Sequence, residues 1–499
     1  RACIGHVGGQ CNWPRGKVLG GSSVLNYMLY VRGNKGDYNE WRDLGNPGWG
    51  YEDVLPYFRK SEDNRNPYLA RDRRHHGTGG YLTVQEPPWR TPIAVAFVEA
   101  GVEMGYENRD CNGARQTGFM LPQATLRRGS RCSTAKAFLR PARDRDNLDI
   151  ATGAHAMKIL IDPDTRQAQG VKFRRQGKVY KVYSKKEVIL SAGALNSPQV
   201  LMLSGLGPQA HLASLGIPVI KDIAGVGQNL QDHYGSIGLV GTLEQPVAVR
   251  EERFMNLPVI QNYLVKARGP MTFVGIEGLA WINTRFANIT VDRPDIEIMF
   301  ASGSAVSDSG TLKTIHGLSD KTYNQYFKPL EGKDTFSFLL MISRPKSRGF
   351  IKLKTRNPFD NPIFEAGYFN HPNDMKVLVD GMKTCLALTK TKAFRKYGGK
   401  IWEGRKIPGC EHFKLWSDEY LECLARHYTN TIYHHSGSAK MGPASDPGAV
   451  VDSRLRVYGV GGLRVVDASI MPTVVSGNTN APTIMIGEKV RTSMILCSL

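Results

Sequence analysis

This sequence lacks long apolar runs, closely spaced cysteine pairs and internal repeats. Its 499 residues contain no apolar run of about eighteen or more residues, which argues against a membrane span. None of its cysteines forms a CxxC pair, so the sequence indicates neither a zinc site nor a redox site of that type. With 41% hydrophobic residues, the chain is long enough to bury a sizeable core. It therefore predicts a globular protein of two or more domains, or one large interleaved unit.

The chain is basic but carries no nucleic-acid-binding module. Its formal net charge is +20, and the basic residues are scattered, as in Arg71–His76 and Arg344–Lys354. No signature of a nucleic-acid-binding fold accompanies them, so we expect no nucleic-acid partner. The charge is interpreted as solvated faces, or as a positive field that attracts anionic electron acceptors.

The cysteines leave secretion with a few disulfides open. Cys3 with Cys11 and Cys410 with Cys423 are candidate pairs, although spacing does not settle connectivity. A single glycosylation sequon, Asn288–Thr290, favours a secreted protein. The eight cysteines are Cys3, Cys11, Cys111, Cys132, Cys385, Cys410, Cys423 and Cys497.

The last seventy or so residues hold the candidate chemistry. Gly461–Pro472 contains a short apolar stretch that predicts a strand with Asp467 at its carboxyl end, where α/β sheets keep their ligand crevices. His434 precedes it, and Asn478 follows it just before a predicted helix. Oxidising an alcohol requires a base of roughly neutral pKa, which is about 6.5 for an unperturbed imidazole, and a hydrogen-bonding group for the oxygen, which an amide can supply. Neither side chain accepts hydride, so a cofactor is required.

Three long signatures identify a family. They are Pro14–Gly33, which reads PRGKVLGGSSVLNYMLYVRG, Ser191–Gly205, which reads SAGALNSPQVLMLSG, and the carboxyl-terminal block from Thr431 to Glu488. In this order they resemble the glucose-methanol-choline (GMC) flavoprotein oxidoreductases, and most closely the insect-type FAD-dependent glucose dehydrogenase branch.

The resemblance implies FAD as cofactor and a sugar or another alcohol as substrate. It implies that His434 is the base, that hydride passes to flavin N5 and that Asn478 hydrogen-bonds the substrate oxygen. His435 is the alternative base; His434 is preferred because the Tyr433-His434-x-x-Gly437 pattern places it at the family's base position. A quinone or another electron acceptor would receive the electrons.

The resemblance also implies a set of cofactor-binding residues. Each has a non-functional interpretation beside it: a glycine turn before a helix, a strand end packed on a helix, or, for Asp467, a turn cap. The family often has Val where Ala156 stands, and His233, in the turn Gly225–His233, is interpreted as structural. The expected cofactor-binding residues are Arg15, Gly16, Lys17, Gly20, Gly21, Ser22, Ser23, Asn26, Met28, Val31, Ala156, Ala192, Gly193, Ser197, Asp467, Ala468 and Thr479.

The expected fold is α/β (α+β), with a Rossmann-like FAD-binding domain interleaved with a substrate domain of antiparallel sheet backed by helices. The FAD-binding domain is expected at 1–57, 145–240 and 447–499, and the substrate domain at 58–144 and 241–446. The family's amino-terminal region would cover about 1–233 and its carboxyl-terminal region about 345–488. Since no strand–GxGxxG–helix opens the chain, the βαβ unit that binds the ADP half of FAD is expected upstream of it.

Several local elements are also predicted. Ser61–Gly80 is polar and charged, which predicts a surface connection, and Ser133–Arg143 has a helical pattern. Asn147–Ala151 is predicted as a strand, and Glu187–Gly193 as a buried parallel strand. Residues 155–183 predict an antiparallel meander.

Two other functional classes remain as alternatives. The first is a catalytically inactive relative with a binding or structural role. The second is a flavin oxidase or lyase that uses oxygen or no net electron acceptor. The sequence names neither the substrate nor the oligomeric state.

Overall fold

The computed structural model describes residues 1–496, with side chains as far as residue 491, so Cys497 lies outside the described residues. The α-helices of this part are α1 Lys35–Asp43, α2 Tyr51–Ser61, α3 Pro92–Glu103, α4 Gly193–Leu203, α5 Gln209–Ser214, α6 Glu251–Phe254, α7 Leu257–Lys266, α8 Thr311–His316, α9 Asp320–Thr322, α10 Pro372–Leu388, α11 Lys392–Arg395, α12 Asp418–His427 and α13 Asn480–Leu496. The strands are β1 Glu62–Asn64, β2 Leu82–Val84, β3 Gly118–Met120, β4 Leu126–Arg127, β5 Ser130–Arg131, β6 Ala154–Ile161, β7 Ala168–Arg175, β8 Lys178–Tyr183, β9 Val188–Leu190, β10 Leu206–Gly207, β11 Lys221–Asp222, β12 Tyr234–Leu243, β13 Gly278–Ile282, β14 Ile296–Ala301, β15 Asp334–Ile342, β16 Phe350–Lys352, β17 Ile363–Glu365, β18 Lys400–Ile401, β19 Thr429–Thr431 and β20 Leu463–Val465.

A seven-stranded antiparallel sheet forms the larger half of the molecule. Its strand order is β18-β12-β15-β14-β13-β3, with β19 paired to β12. Side chains alternate across its strands. Ile298 and Leu340, which are paired across β14 and β15, face a core shared with α3, α10 and α12. The predicted antiparallel sheet backed by helices is therefore confirmed.

The opposite face of this sheet packs against the amino-terminal signature and the segment just before His434. Leu279, Trp281 and Met299 on this face form a buried cluster that includes Val31, with Ile432 at its margin. A shift of one residue in the strand register would move every side chain to the other face. The alternation along the strands therefore decides which side chains reach the site.

The smaller half contains the elements that carry the second signature. β9 and β20 pair in parallel, with Val188 opposite Leu463, and α4 follows β9 directly. β6, β7 and β8 form the predicted antiparallel meander. Glu187–Gly193 contains the predicted parallel strand, but it is not buried throughout, because Ile189 is 43% exposed.

One predicted element is absent from the described residues, and two others differ from the prediction. Asn147–Ala151 forms no strand. Ser61–Gly80 is not simply a surface connection, since Glu62 and His76 are buried. The helix expected at Ser133–Arg143 appears as a π-helical turn, Ala135–Leu139, followed by a 3-10 turn, Arg140–Ala142, which contains Pro141. Proline lacks the backbone donor that a regular helix needs.

A buried ionic network accounts for the burial of this polar segment. The Arg32 guanidinium donates to Glu62 Oε2 at 2.8 Å, and His76 lies 3.0 Å from Glu62 Oε1 and 2.7 Å from Asp110 Oδ2. Low apolar content predicts exposure only when the charges are unpaired. Here the partners come from three separate stretches of the chain, which sequence reasoning did not connect.

Two disulfides are present among the described residues. Cys3 pairs with Cys11 and Cys410 with Cys423, while Cys111, Cys132 and Cys385 are free and buried. Both candidate pairs in the sequence are thereby confirmed. Among the described residues, no helix combines the length and apolar character that crossing a bilayer requires.

Glu297 is an electrostatic anomaly in the centre of the sheet. It lies on β14 between Trp281 and Met341, is 0% exposed, and neither carboxyl oxygen has a hydrogen-bond partner among the described residues. Burial raises its pKa well above the usual range. A carboxyl in this position folds as the neutral acid.

We expect Glu297→Gln to remove a pH dependence of stability. Between the ordinary pKa and the raised pKa, the unfolded chain has lost the proton that the folded chain keeps. The free energy of unfolding therefore falls as pH rises, by up to about 1.4 kcal/mol per pH unit. Urea unfolding at pH 5 and pH 8 measures the difference. Equal losses in the wild type and the variant would contradict the assignment.

Candidate active site

The structure brings His434 and Asn478 together. His434 lies just after β19, and Asn478 lies two residues before α13 begins. Asn478 Nδ2 is 3.2 Å from His434 Nε2, although 44 positions separate them in the sequence. His434 is 7% exposed, and Asn478 Oδ1 is buried without a hydrogen-bond partner among the described residues. The pair thus presents one ring nitrogen and one free amide oxygen.

Asp37 holds the loop that carries Asn478. Its carboxylate accepts hydrogen bonds from the backbone N–H of Ser476 at 2.6 Å and from the Ser476 hydroxyl at 2.8 Å. It also accepts from the backbone N–H of Asn34 at 2.8 Å, which closes a capping box at the start of α1. This carboxylate links the start of α1, directly after the first signature, to the third signature, and sequence reasoning missed it.

Gly477 allows the Asn478 loop to approach the sheet. Its φ is +156°, and a Cβ at this position would lie 2.5 Å from Val31 Cγ1 and 3.6 Å from Trp281 Cζ2. A side chain here would push Asn478 away from His434. The first signature and the sheet therefore both determine where the amide lies.

Asp232 anchors the backbone of the candidate base. Its Oδ1 accepts from the His434 backbone N–H at 2.9 Å, and its Oδ2 accepts from the hydroxyls of Thr431 and Tyr368. Burial raises the pKa of Asp232 to about 7 despite these hydrogen bonds, which lower it. Asp232 belongs to the same turn as His233, and its role was not predicted.

His233 contacts the imidazole of His434 directly. The two Nδ1 atoms are 2.9 Å apart, and His233 Nε2 is 3.0 Å from the carbonyl oxygen of Ser343. His233 is fully buried, and this burial lowers its pKa to about 4. The turn Gly225–His233 thus contributes to the surroundings of the candidate base.

His434 is a neutral imidazole at physiological pH. Burial, followed by its neighbours His233 and His435, lowers its pKa well below the usual value. A neutral ring has a free lone pair and can accept a proton. The environment therefore supplies the protonation state that a general base needs.

His435 points to a different neighbourhood. Its ring lies 3.9 Å from that of Trp13, and its Nε2 is 3.4 Å from Asp232 Oδ2 without forming a hydrogen bond. Burial lowers the pKa of His435 to about 3 and raises that of Asp232, so this contact is not an ion pair. His435 is not paired with Asn478.

One group of predicted cofactor-binding residues converges at the carboxyl ends of β9 and β20. Asp467 Oδ2 accepts from the Gly193 N–H at 2.9 Å and from the Ser197 hydroxyl at 2.5 Å. Arg15 Nη2 lies 3.5 Å from the Ala192 carbonyl oxygen. The Ala468 carbonyl oxygen accepts from the backbone N–H of Gly437, three residues after His434. This group therefore lies beside the segment that carries the candidate base.

A second group lies along the first signature. Arg131 donates to Asn26 Oδ1 at 2.7 Å, and the same oxygen accepts from the Met28 N–H at 3.0 Å. Ser23 Oγ is 3.0 Å from Thr134 Oγ1, and Gly16 donates to Ser22 Oγ at 3.3 Å. Gly20 and Gly21 both have positive φ, at +93° and +55°. Val31 reaches the Asn478 loop through Gly477.

Three predicted residues stand apart from these groups. Lys17 is exposed at the surface of the first signature, and Ala156 is exposed on β6, which packs against α4. Thr479 accepts from Thr483 in the first turn of α13. In the described part of the chain, no hydrogen bond joins Lys17 or Ala156 to the other predicted site residues.

The residues present fit a bound flavin. A Cβ on Gly16 would lie 2.3 Å from the Gly21 backbone, and Gly193 has a φ of +83°, so both positions favour glycine. Asn478 Oδ1, Ser436 Oγ and His435 Nε2 are buried polar atoms without partners among the described residues. Such atoms usually have a hydrogen-bond partner, which a polar ligand can provide.

Comparison with known proteins places this chain among the GMC oxidoreductases. Two family models described as GMC oxidoreductase match residues 3–235 and 345–487. The chain is 42% identical to glucose dehydrogenase [FAD, quinone] of Drosophila melanogaster, over 98% of this chain and 75% of that protein. It is 37% identical to mitochondrial choline dehydrogenase of Homo sapiens, over 96% and 75%. The crystal structure of pyridoxine 4-oxidase from Mesorbium loti superposes with a TM-score of 0.81 at 26% identity, over 99% of this chain and 88% of that chain.

Proposed function

This chain belongs to the GMC oxidoreductase family of FAD-dependent enzymes that act on CH–OH groups, and from this we propose that it oxidises a sugar or another alcohol and passes the electrons to a quinone-like acceptor. The observation that carries the proposal is the 3.2 Å contact between His434 Nε2 and Asn478 Nδ2. The acceptor is supported by the relative from Drosophila melanogaster, which is a glucose dehydrogenase [FAD, quinone].

The two side chains divide the work on the substrate hydroxyl. His434 Nε2 accepts the hydroxyl proton, and Asn478 donates from Nδ2 to the same oxygen, which holds the carbinol carbon in place. When bound, FAD supplies the hydride acceptor that the protein lacks. Arg15, Gly193 and Asp467 would hold the cofactor at the ends of β9 and β20.

The sheet face beside Asn478 keeps water from the reacting groups. Trp281, Met299 and Met341 on this face are all buried. A dry site strengthens the hydrogen bonds on which His434 and Asn478 depend. We also propose secretion, supported by the two disulfides, which persist in oxidising compartments.

The test mixes the oxidised holoenzyme anaerobically with sugars, simple alcohols and sterols while flavin absorbance is recorded. We expect at least one alcohol to bleach the flavin, and the reduced enzyme to be reoxidised faster by a quinone than by oxygen. A yellow protein that no alcohol bleaches would favour the inactive relative. Stoichiometric peroxide with fast reoxidation by oxygen would favour an oxidase and overturn the proposed acceptor.

A further inference from the structure

A chain of three hydrogen-bond contacts passes through the ring of the candidate base and ends at Asn478. It runs from the Ser343 carbonyl oxygen to His233 Nε2 at 3.0 Å, from His233 Nδ1 to His434 Nδ1 at 2.9 Å, and from His434 Nε2 to Asn478 Nδ2 at 3.2 Å. Ser343 follows directly after β15, so the chain starts on the central sheet. Its two imidazoles are both buried.

The carbonyl oxygen at one end determines every proton in the chain. A carbonyl oxygen can only accept, so His233 Nε2 must carry its hydrogen. His233 is neutral, because burial lowers its pKa to about 4, and its Nδ1 is therefore a bare acceptor. The hydrogen between the two rings must then belong to His434 Nδ1.

From this geometry we infer that His233 is a positioning residue which holds His434 in the tautomer with hydrogen on Nδ1 and a lone pair on Nε2, the lone pair that accepts from Asn478 Nδ2 in this structure. That lone pair faces Asn478, where the proposed function places the substrate hydroxyl. In the other tautomer Nε2 would carry a hydrogen and could not accept the hydroxyl proton. The inference rests on the proposed function for its consequence in catalysis, but the tautomer can be measured independently.

The groups that face the two rings do not compete for this arrangement. Asp232 bonds the backbone N–H of His434 and not its ring. His435 Nε2 lies 3.4 Å from Asp232 Oδ2. Burial lowers the pKa of His435 to about 3, so its ring is neutral. The positive charge of Arg15 helps to lower the pKa of His435, whereas it is not among the causes that lower the pKa of His434 or His233. His233 is therefore the acceptor that holds the hydrogen on His434 Nδ1, and Asn478 Nδ2, which donates to Nε2, favours the same tautomer.

Nitrogen NMR of the histidine-labelled holoenzyme tests the assignment directly, since protonated and bare ring nitrogens have distinct shifts. The His434 signals are identified by their loss in His434→Asn. We expect Nδ1 to be protonated and Nε2 to be bare in the wild type and in His233→Asn, whose amide oxygen can replace the acceptor. In His233→Leu we expect both tautomers to be populated. A wild-type His434 with hydrogen on Nε2, or an unchanged tautomer in His233→Leu, would overturn the inference.

Kinetics provide the second measurement. We expect His233→Leu to lower the limiting rate of flavin reduction about a hundredfold with little change in KM, and His233→Asn to stay within about tenfold of the wild type. Because His233 contributes to the lowered pKa of His434, the acidic limb of the pH profile should move to higher pH in His233→Leu. His6→Leu, which removes another buried imidazole without hydrogen-bond partners among the described residues, is the control and should change neither tautomer nor rate.

These outcomes separate the two ideas. If no alcohol reduces the flavin, the proposed function fails, while the NMR signals still report the tautomer. If reduction occurs and His233→Leu retains the wild-type rate and pH profile, the positioning role fails and the proposed function stands. If His233→Leu does not fold, the comparison of the wild type with His233→Asn still decides the proton positions.

Discussion

Replacing His434 by alanine is expected to lower the rate of flavin reduction by about 10²–10⁴-fold, the usual contribution of a general base. The ring places Nε2 3.2 Å from Asn478 Nδ2, and an alanine leaves the hydroxyl proton without this acceptor. Stopped-flow absorbance of the holoenzyme under anaerobic conditions measures the rate. Flavin absorbance should persist, because the hydrogen bonds between Asp467 and Gly193 do not involve His434.

The neighbouring histidine provides the comparison for this experiment. His435→Asn removes a ring that contacts Trp13 and Asp232 but not Asn478. We expect its rate to stay within about tenfold of the wild type. A larger loss from His435→Asn than from His434→Ala would exchange the two assignments.

The pH dependence of the wild-type rate follows from the lowered pKa of His434. The base must be unprotonated to act, and burial keeps it so at pH values below the ordinary imidazole pKa. The rate of flavin reduction should therefore hold through neutral pH and fall only in more acidic solution. A rate that already halves near pH 6.5 would indicate an unperturbed, exposed base.

Replacing Glu62 by glutamine is expected to lower the free energy of unfolding by about 3–5 kcal/mol, the usual cost of breaking a buried ion pair on one side. The Arg32 guanidinium is 1% exposed and would lose its only carboxylate partner within the described residues. Urea unfolding followed by circular dichroism measures the change. Glu52→Gln, which removes an exposed partner of Arg74, is the control and should change stability by less than about 0.5 kcal/mol.

The same network predicts a pH window for stability. Burial alone would raise the pKa of Glu62, but Arg32 and His76 lower it. The stability that Glu62 contributes is therefore present above the ordinary carboxyl pKa and is lost as pH falls through the lowered pKa. Burial alone would lower the pKa of His76, but Asp110 and Glu62 raise it to about 9. The stability that His76 contributes is therefore present below pH 6.5 and is lost as pH rises through 9. In Glu62→Gln both limbs should flatten; unchanged limbs would contradict the assignment.

Patterns along the chain predicted much of the fold. The apolar stretch within Gly461–Pro472 predicted a strand ahead of Asp467, which is β20, and the helix predicted after Asn478 is α13. The meander and the parallel strand before Gly193 followed from the same local rules. Asn147–Ala151 was predicted wrongly because a short apolar stretch in a polar loop does not fix hydrogen-bond partners.

The site was predicted in part. The signatures pointed to His434 and Asn478, which the structure brings together, and their catalytic roles stay predictions. Asp37, Asp232 and Glu297 were missed. A carboxylate in a helix cap, a turn or a strand has an ordinary local explanation, and only its distant partners, or their absence, make it unusual.

The sequence by itself determined the family, the candidate imidazole and amide, and several of the strands and helices, because each of these depends on residues that are close along the chain. Only the tertiary structure decided what surrounds the base. His233 is 201 positions from His434, and Asp37 is 439 positions from Ser476. Hydrogen bonds act over about 3 Å in space, so the proton positions, the burial and the pKa values of these groups depend on contacts that sequence spacing does not contain.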